Sequence, residues 1–284
     1  LCISKTGTCL LEDLAQMEKL TQSNLIAALE RINISKGDKL LVHSSIMAFG
    51  RPEKGISTFI SALQSVVGPK GVVAAPTFTF RFIEEGQYSH AETASVGMGA
   101  LNEALRKQEG AIRSNHPIQS VIFLGPVSDE FSQDRPFSAY ESGGTFDLMA
   151  KQGFKILLLG VSPKYISHAH LSEERYKVPY RFMKRVKGSA IFAGSMKPAR
   201  SGWGFYARYL DLDTYPEKED VIVRELQVGK KWHQTSLNGA VIGCGYAQDF
   251  VRCLDKKLDM NPYWMLENQS MAKEYCSTKM PHED

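Results

Sequence analysis

The sequence lacks a Cys-x-x-Cys pair and any regular cysteine framework. Its five cysteines, Cys2, Cys9, Cys244, Cys253 and Cys276, are odd in number and irregularly spaced. That pattern argues against a disulfide scaffold and a structural zinc site, and it fits a reducing cytoplasm. No apolar run approaches the roughly 20 residues that a membrane span needs. The opening LCISKTGTCLLEDLAQ has no basic start followed by an apolar block, so no secretory leader is expected. Charge of one sign is not in excess: 34 Lys and Arg stand against 31 Asp and Glu, a balance too mild to suggest a nucleic-acid face. Repeats, linkers and low-complexity stretches are also missing. One domain over 1–284 is therefore expected, with a core over about 20–260 and a polar tail after Asn268 that is loosely ordered.

What is present is a chain of 284 residues that is 43% hydrophobic, enough for a substantial core. Thr21 to Ile32 carries Leu25, Ala28, Leu29 and Ile32 on one helical face, with Thr21 or Ser23 as cap. Ser57 to Val67 repeats that period and stops at Gly68-Pro69. Val96 to Lys107, with Ser95 as N-cap, and Thr145 to Lys151 read as further helices. Between them lie short continuous apolar runs: KLLVH (39–43), GVVAA (71–75), SVIFL (120–124) and KILLLGV (155–161). Such runs suit strands buried on both faces, so a layered α/β sheet is expected. After about residue 185 the pattern becomes α+β. Val221 to Leu226 and Gly239 to Cys244 read as strands and Ala247 to Lys256 as a helix.

The most informative segment is GVSPKYISHAHLSEERYKVPYR (160–181), where an apolar strand ends, a loop follows and a helix starts near Ser167. Strand ends are where α/β sheets build their sites. His170 and Glu173 are three residues apart and share a helix face. An imidazole oriented by a carboxylate is a general base suited to an amine attacking an acyl carbonyl. The same spacing also describes an ordinary surface ion pair. His168, His170 and Glu173 are metal-ligand types as well, which keeps open a metal-dependent amidohydrolase. Small hydroxyl residues follow two strands: His43-Ser44-Ser45 and Pro76-Thr77-Phe78-Thr79. They could hold phosphate or amide groups, or simply cap turns. Arg113 precedes the third strand and could bind an anion or hold its own loop.

Together, GDKLLVHSSIMAFG (37–50), VVGPKGVVAAPTFTF (66–80), GAIRSNHPIQSVIFLG (110–125) and KILLLGV with SHAHLSEERYKVPYR (155–181) resemble the aminoglycoside 3-N-acetyltransferase family, in the family's order. The resemblance implies a three-layer α/β/α sandwich of the antibiotic N-acetyltransferase type, distinct from the GNAT fold. It implies acetyl-CoA as donor, an aminoglycoside or related amino sugar as acceptor, and no metal. His170 would be the base and Glu173 its orienting partner. His43, Ser44, Ser45 and Thr77 would line the CoA groove, with Ser95 and Arg113 helping to hold the cofactor. A homodimer is left open. From Tyr176 to Arg208 there are eight Lys or Arg residues and no Asp or Glu. If that stretch lined the cleft it would repel polycations, and an anionic or nucleotide-linked amino sugar would fit better. The acidic run Glu217, Glu219 and Asp220 reads as solvated surface.

Overall fold

The computed structural model describes residues 19–132, 137–192, 195–198 (backbone), 202–212 and 218–278; Cys2, Cys9 and Glu217 lie outside them. In chain order the elements are α1 (Gln22–Arg31), β1 (Lys39–Ser44), α2 (Ile56–Val67), β2 (Val72–Pro76), α3 (Phe82–Glu85), β3 (Gln87–Ser89), α4 (Ala100–Arg106), β4 (Ile112–Arg113) and β5 (Val121–Leu124). There follow α5 (Thr145–Lys151), β6 (Lys155–Leu159), α6 (Ala169–Arg175), β7 (Arg181–Val186), β8 (Ser189–Phe192), β9 (Ser195–Pro198) and β10 (Trp203–Arg208). The last are α7 (Lys218–Val228), β11 (Trp232–Leu237), β12 (Ala240–Tyr246), α8 (Ala247–Met260) and α9 (Gln269–Thr278).

The strands alternate their burial, and this alternation makes the layers. Leu40, Val42, Val73, Ala75, Leu157 and Leu159 join one core with α1, α2 and α4. Their neighbours Leu41, Val72, Ala74, Ile156 and Leu158 join the other core with α5, α7 and α8. Successive strand side chains point to opposite faces, so a continuous apolar run must be covered twice. The result is an α/β/α sandwich around a seven-stranded sheet of order β11-β12-β6-β1-β2-β5-β4. β6, β1 and β2 are parallel, and the flanking pairs β12 with β6 and β2 with β5 are antiparallel. Two small sheets, β10-β7 and β3-β8-β9, lie apart from it. Among the described residues no helix is long and apolar enough to cross a membrane.

Three local expectations differ from the structure. The helix expected from Val96 begins at Ala100, because Gly97 and Gly99 take φ of 86° and 101°, which a right-handed helix excludes. Ser95 therefore does not cap it; its N–H and Oγ–H donate to Glu103 Oε2 at 3.2 and 3.1 Å. Val221 to Leu226 is helical within α7, where Ile222, Val223 and Leu226 are buried. Its β-branched residues favour a strand only weakly, and the packing of α7 on α8 overrides them. In the polar stretch expected to be loose, Gln269–Thr278 forms α9, with Ala272 buried.

The parallel strands order the site. Leu157 is fully buried on β6, whose neighbours are β1 and β12. Leu157→Ala is expected to lower the unfolding free energy by roughly 2–5 kcal/mol, read as a fall in the urea midpoint. Met260→Ala, at an 84% exposed position, should change it by no more than about 0.5 kcal/mol.

Candidate active site

The site begins at the C-terminal ends of β1, β2 and β6. These ends and the loops leaving them line a groove of about 900 Å³: His43, Ser44 and Ser45 at β1, Pro76, Phe78 and Phe80 at β2, Gly160 and Val161 at β6. Gly160 has φ of 67°, and a Cβ there would stand 2.8 Å from Ala48 Cβ and 2.9 Å from the Ser45 carbonyl oxygen. Only glycine lets the β6 exit pass so close to the β1 exit.

His170 also lines the groove, from the seven-residue helix α6 that follows β6. Its Nδ1 is 2.6 Å from Glu173 Oε2. Glu173 is fully buried. Tyr180 donates its hydroxyl to Glu173 Oε1 at 3.0 Å, and Arg181 Nε lies 3.0 Å from Oε2. The chain returns these two residues to the helix because Lys177, at φ of 46°, ends α6 in a left-handed turn. Burial alone would raise the Glu173 carboxyl, but the Arg181 guanidinium and the His170 hydrogen bond outweigh it and hold the group down at about 2. An ionised carboxylate can only accept, so Nδ1 carries the proton. With Nδ1 committed in this way, Nε2 is the ring nitrogen left to meet a ligand. The imidazole also meets Tyr140 edge-on at 5.5 Å, and Tyr140 stacks on Phe146 at 4.3 Å. Carboxylate and aromatic ring together fix the orientation of a side chain that is still 35% exposed.

The residues expected beside the dyad divide into two groups. His43, Ser44 and Ser45 line the groove. Thr77, Ser95 and Arg113 do not: all three are buried and spend their polar atoms internally. Arg113 donates from Nε to Thr77 Oγ1 and Ser120 Oγ at 3.2 and 3.0 Å. Its terminal nitrogens donate to the carbonyls of His90, Thr93 and Thr77 at 3.2, 2.7 and 2.8 Å. It ties the β2 exit to the neighbouring loop rather than facing a ligand. His168 turns inward, fully buried and edge-on to Phe146 at 5.3 Å. Both its nitrogens lack a hydrogen-bond partner among the described residues. Burial, with His43 adding to it, pulls the His168 imidazole down to about 3, and burial pulls His43 down to about 4.

Two features were not legible in the sequence. Glu219, read as solvated surface, is buried and lines the groove. A second cavity of about 1130 Å³ lies against the other side of α6 and includes Glu174, Arg175, Lys177 and Arg181. Of the basic stretch, Lys177 and Arg181 border that cavity, Lys184, Arg185, Lys187 and Arg208 are exposed, and none of these six lines the groove. Lys197's side chain and Arg200 lie outside the described residues, so the condition for repelling polycations is not met by the described part of the stretch. Among the described residues, no group of three His, Cys, Asp or Glu side chains converges as a metal site.

A family profile described as aminoglycoside 3-N-acetyltransferase matches residues 41–259, more than three quarters of the chain. The chain belongs to this family. Aminoglycoside N(3)-acetyltransferase III from Salmonella sp is 29% identical over 177 residues, 56% of this chain and 62% of that protein. Fewer than two thirds of that relative's length is therefore matched. Aminoglycoside N(3)-acetyltransferase VIII from Streptomyces fradiae is 26% identical over 214 residues, 69% of this chain and 72% of that one. In three dimensions, the structure described as AAC-IIIb binary with CoASH superposes with a TM-score of 0.73 at 22% identity, covering 86% of this chain and 97% of that chain. The sandwich is thus the fold of a family member, and the groove and dyad lie on its strand ends.

The buried histidines make stability depend on pH with a defined sign. His168 has a folded-state value below its ordinary 6.5, so the unfolded chain binds its proton first. Its contribution is complete above about 6.5 and is lost as pH falls toward about 3. His168→Leu is therefore expected to flatten the fall of the unfolding free energy between pH 7 and pH 5, measured by urea titration and relative to wild type, by up to about 1.4 kcal/mol per pH unit. Parallel slopes for the two proteins would refute this.

Proposed function

We propose that the chain transfers an acetyl group from acetyl-CoA to the amine of an aminoglycoside or related amino sugar. The observation that carries this reading is an imidazole on a groove wall, its Nδ1 committed to a buried, ionised carboxylate. The groove suits a pantetheine arm in size and chemistry. It offers the Ser44 and Ser45 hydroxyls and the apolar walls of Phe78 and Val161. Two buried atoms on its wall, His43 Nε2 and Asn102 Oδ1, have no partner among the described residues. Amide groups of a ligand would satisfy them. When bound, acetyl-CoA supplies the acetyl group as an activated thioester. His170 accepts the proton of the attacking amine. Glu173 holds the ring in the tautomer that can do so and stabilises the imidazolium that forms. Arg181 and Tyr180 keep Glu173 ionised and in place, and they lie too deep to touch the substrate themselves.

His170→Ala is expected to lower thiol release from acetyl-CoA, followed with a thiol reagent in the presence of an amine panel, by roughly 10²–10⁴-fold. The fold should survive, since His170 is half-exposed. Release at the wild-type rate would remove His170 from the role of base. Two further measurements separate the alternatives. Activity should persist after treatment with a chelator, and its loss would favour the metal-dependent amidohydrolase. Expression in a sensitive host should raise the inhibitory concentration of a 3-amino aminoglycoside. No change for any of them would move the acceptor to a biosynthetic amino sugar.

A further inference from the structure

The cavity on the other side of α6 holds about 1130 Å³ and shares no lining residue with the groove. Part of its wall is aromatic. Phe182 and Tyr209 lie 5.0 Å apart, ring centre to ring centre, and Tyr206 lines it with them. The Tyr206 hydroxyl is spent on the Val178 carbonyl, so the ring is what that residue offers. The rest of the wall is ionic, and its buried or bridging cations are already paired. Lys151 and Arg175 meet Asp147 at 2.7 and 3.5 Å, Arg175 also meets Asp255 at 2.6 Å, and Arg181 meets Glu173 at 3.0 Å. Lys177 stands exposed in solvent.

Two acids are left over, and Ser138 gathers both. Its Oγ–H donates to Glu174 Oε2 at 2.7 Å, and its N–H donates to Glu141 Oε1 at 3.3 Å. Neither acid forms an ion pair with a described residue. Glu141 is half-buried, and Glu174 is only 9% exposed. Burial pushes the Glu174 carboxyl up to about 7, the Ser138 hydrogen bond pulls the other way, and Glu141 raises it further. No cation contributes, so the bases lining the cavity do not serve this acid. A carboxyl held out of water without a counterion is costly, and the dyad chemistry makes no use of it. What it lacks is a cation, and the cavity beside it has room for one attached to an apolar body. Aromatic faces attract such a cation as well as its carbon skeleton.

We propose that this cavity is a second ligand site, for a primary amine carried on a ring, its ammonium on Glu174 and its apolar body against Phe182, Tyr206 and Tyr209. The site stands whether or not the groove transfers acetyl groups, because no residue is common to the two. The ammonium brings Glu174 the charge that its surroundings withhold, and the rings take the remainder of the ligand out of water.

The test is calorimetry on the full chain with 2-phenylethylamine at pH 8, where the carboxyl is ionised and the amine charged. The groove is filled beforehand with CoA rather than acetyl-CoA, so that no amine is consumed. One equivalent is expected to bind, and Glu174→Gln should weaken it roughly tenfold. The anion 3-phenylpropanoate, of similar size, should bind at least tenfold more weakly than the amine. Absence of binding, binding unchanged by Glu174→Gln, or equal binding of the anion would overturn the proposal. If Glu174→Gln does not fold, Phe182→Ala should weaken the amine severalfold, and unchanged affinity overturns the site. A crystal soak with 4-bromophenethylamine then reads the location from the bromine signal. A peak among Phe182, Tyr206 and Tyr209 upholds the site, and a peak in the groove alone overturns it. Loss of the acetyl-transfer reading would show as no thiol release with any amine and would leave these binding results as they are.

Discussion

A fully buried carboxylate organises this molecule's site. Glu173 keeps its charge in a place where burial alone would neutralise it, because Arg181, Tyr180 and His170 all reach it. Those contacts come from three directions: the turn above on α6, the segment just beyond the helix, and the first residue of β7. β7 in turn is held by β10, whose Tyr206 carbonyl accepts from the Arg181 guanidinium at 3.1 Å. The Tyr206 hydroxyl donates to the Val178 carbonyl at 3.0 Å, which fixes the turn between the helix and the strand. One charge therefore links the small two-stranded sheet, the helix and the imidazole. Removing any one partner would leave a buried ion short of compensation.

The sandwich supplies the setting. Three parallel strands end side by side, and β1, with neighbours on both sides, releases its chain between the exits of β2 and β6. A crevice at that point is a general property of open α/β sheets. What is particular to this chain is the lining. Hydroxyl and apolar groups dominate, charges are few, and buried polar atoms on His43, Asn102 and Glu219 have no partner among the described residues. Unpartnered buried groups are rare in structural cores and gather where ligands bind. Arg113 shows the contrast: a cation just as buried satisfies itself on carbonyl and hydroxyl oxygens and serves architecture.

Local sequence was sufficient for much of this. The four apolar runs and the helices between them required covering on both faces. The dyad spacing was legible because three residues in a helix make a contact that needs nothing else from the fold. The family resemblance supplied the connection between those pieces. Thr77, Ser95 and Arg113 turn their polar groups to neighbouring segments rather than onto the groove, a choice between ligand and loop that sequence does not express. Glu219 was misread because a charge run in a mostly polar segment looks the same whether its middle member is wet or buried.

By itself, then, the sequence determined what depends on near neighbours along the chain: most of the strand and helix periods, a cap at Thr21 or Ser23, of which Thr21 serves with its Oγ1 accepting from the Asn24 N–H at 3.1 Å, and the His170–Glu173 pair. The tertiary structure decided everything that depends on distant neighbours. It turned Val221 to Leu226 into a helix through packing on α8 and brought Arg181 to Glu173 through a left-handed turn. It sank His168 behind Phe146 and set Glu219 on the groove wall. The physical reason is that burial and charge compensation are properties of a place in space, and two segments acquire a shared place only once the sheet has assembled.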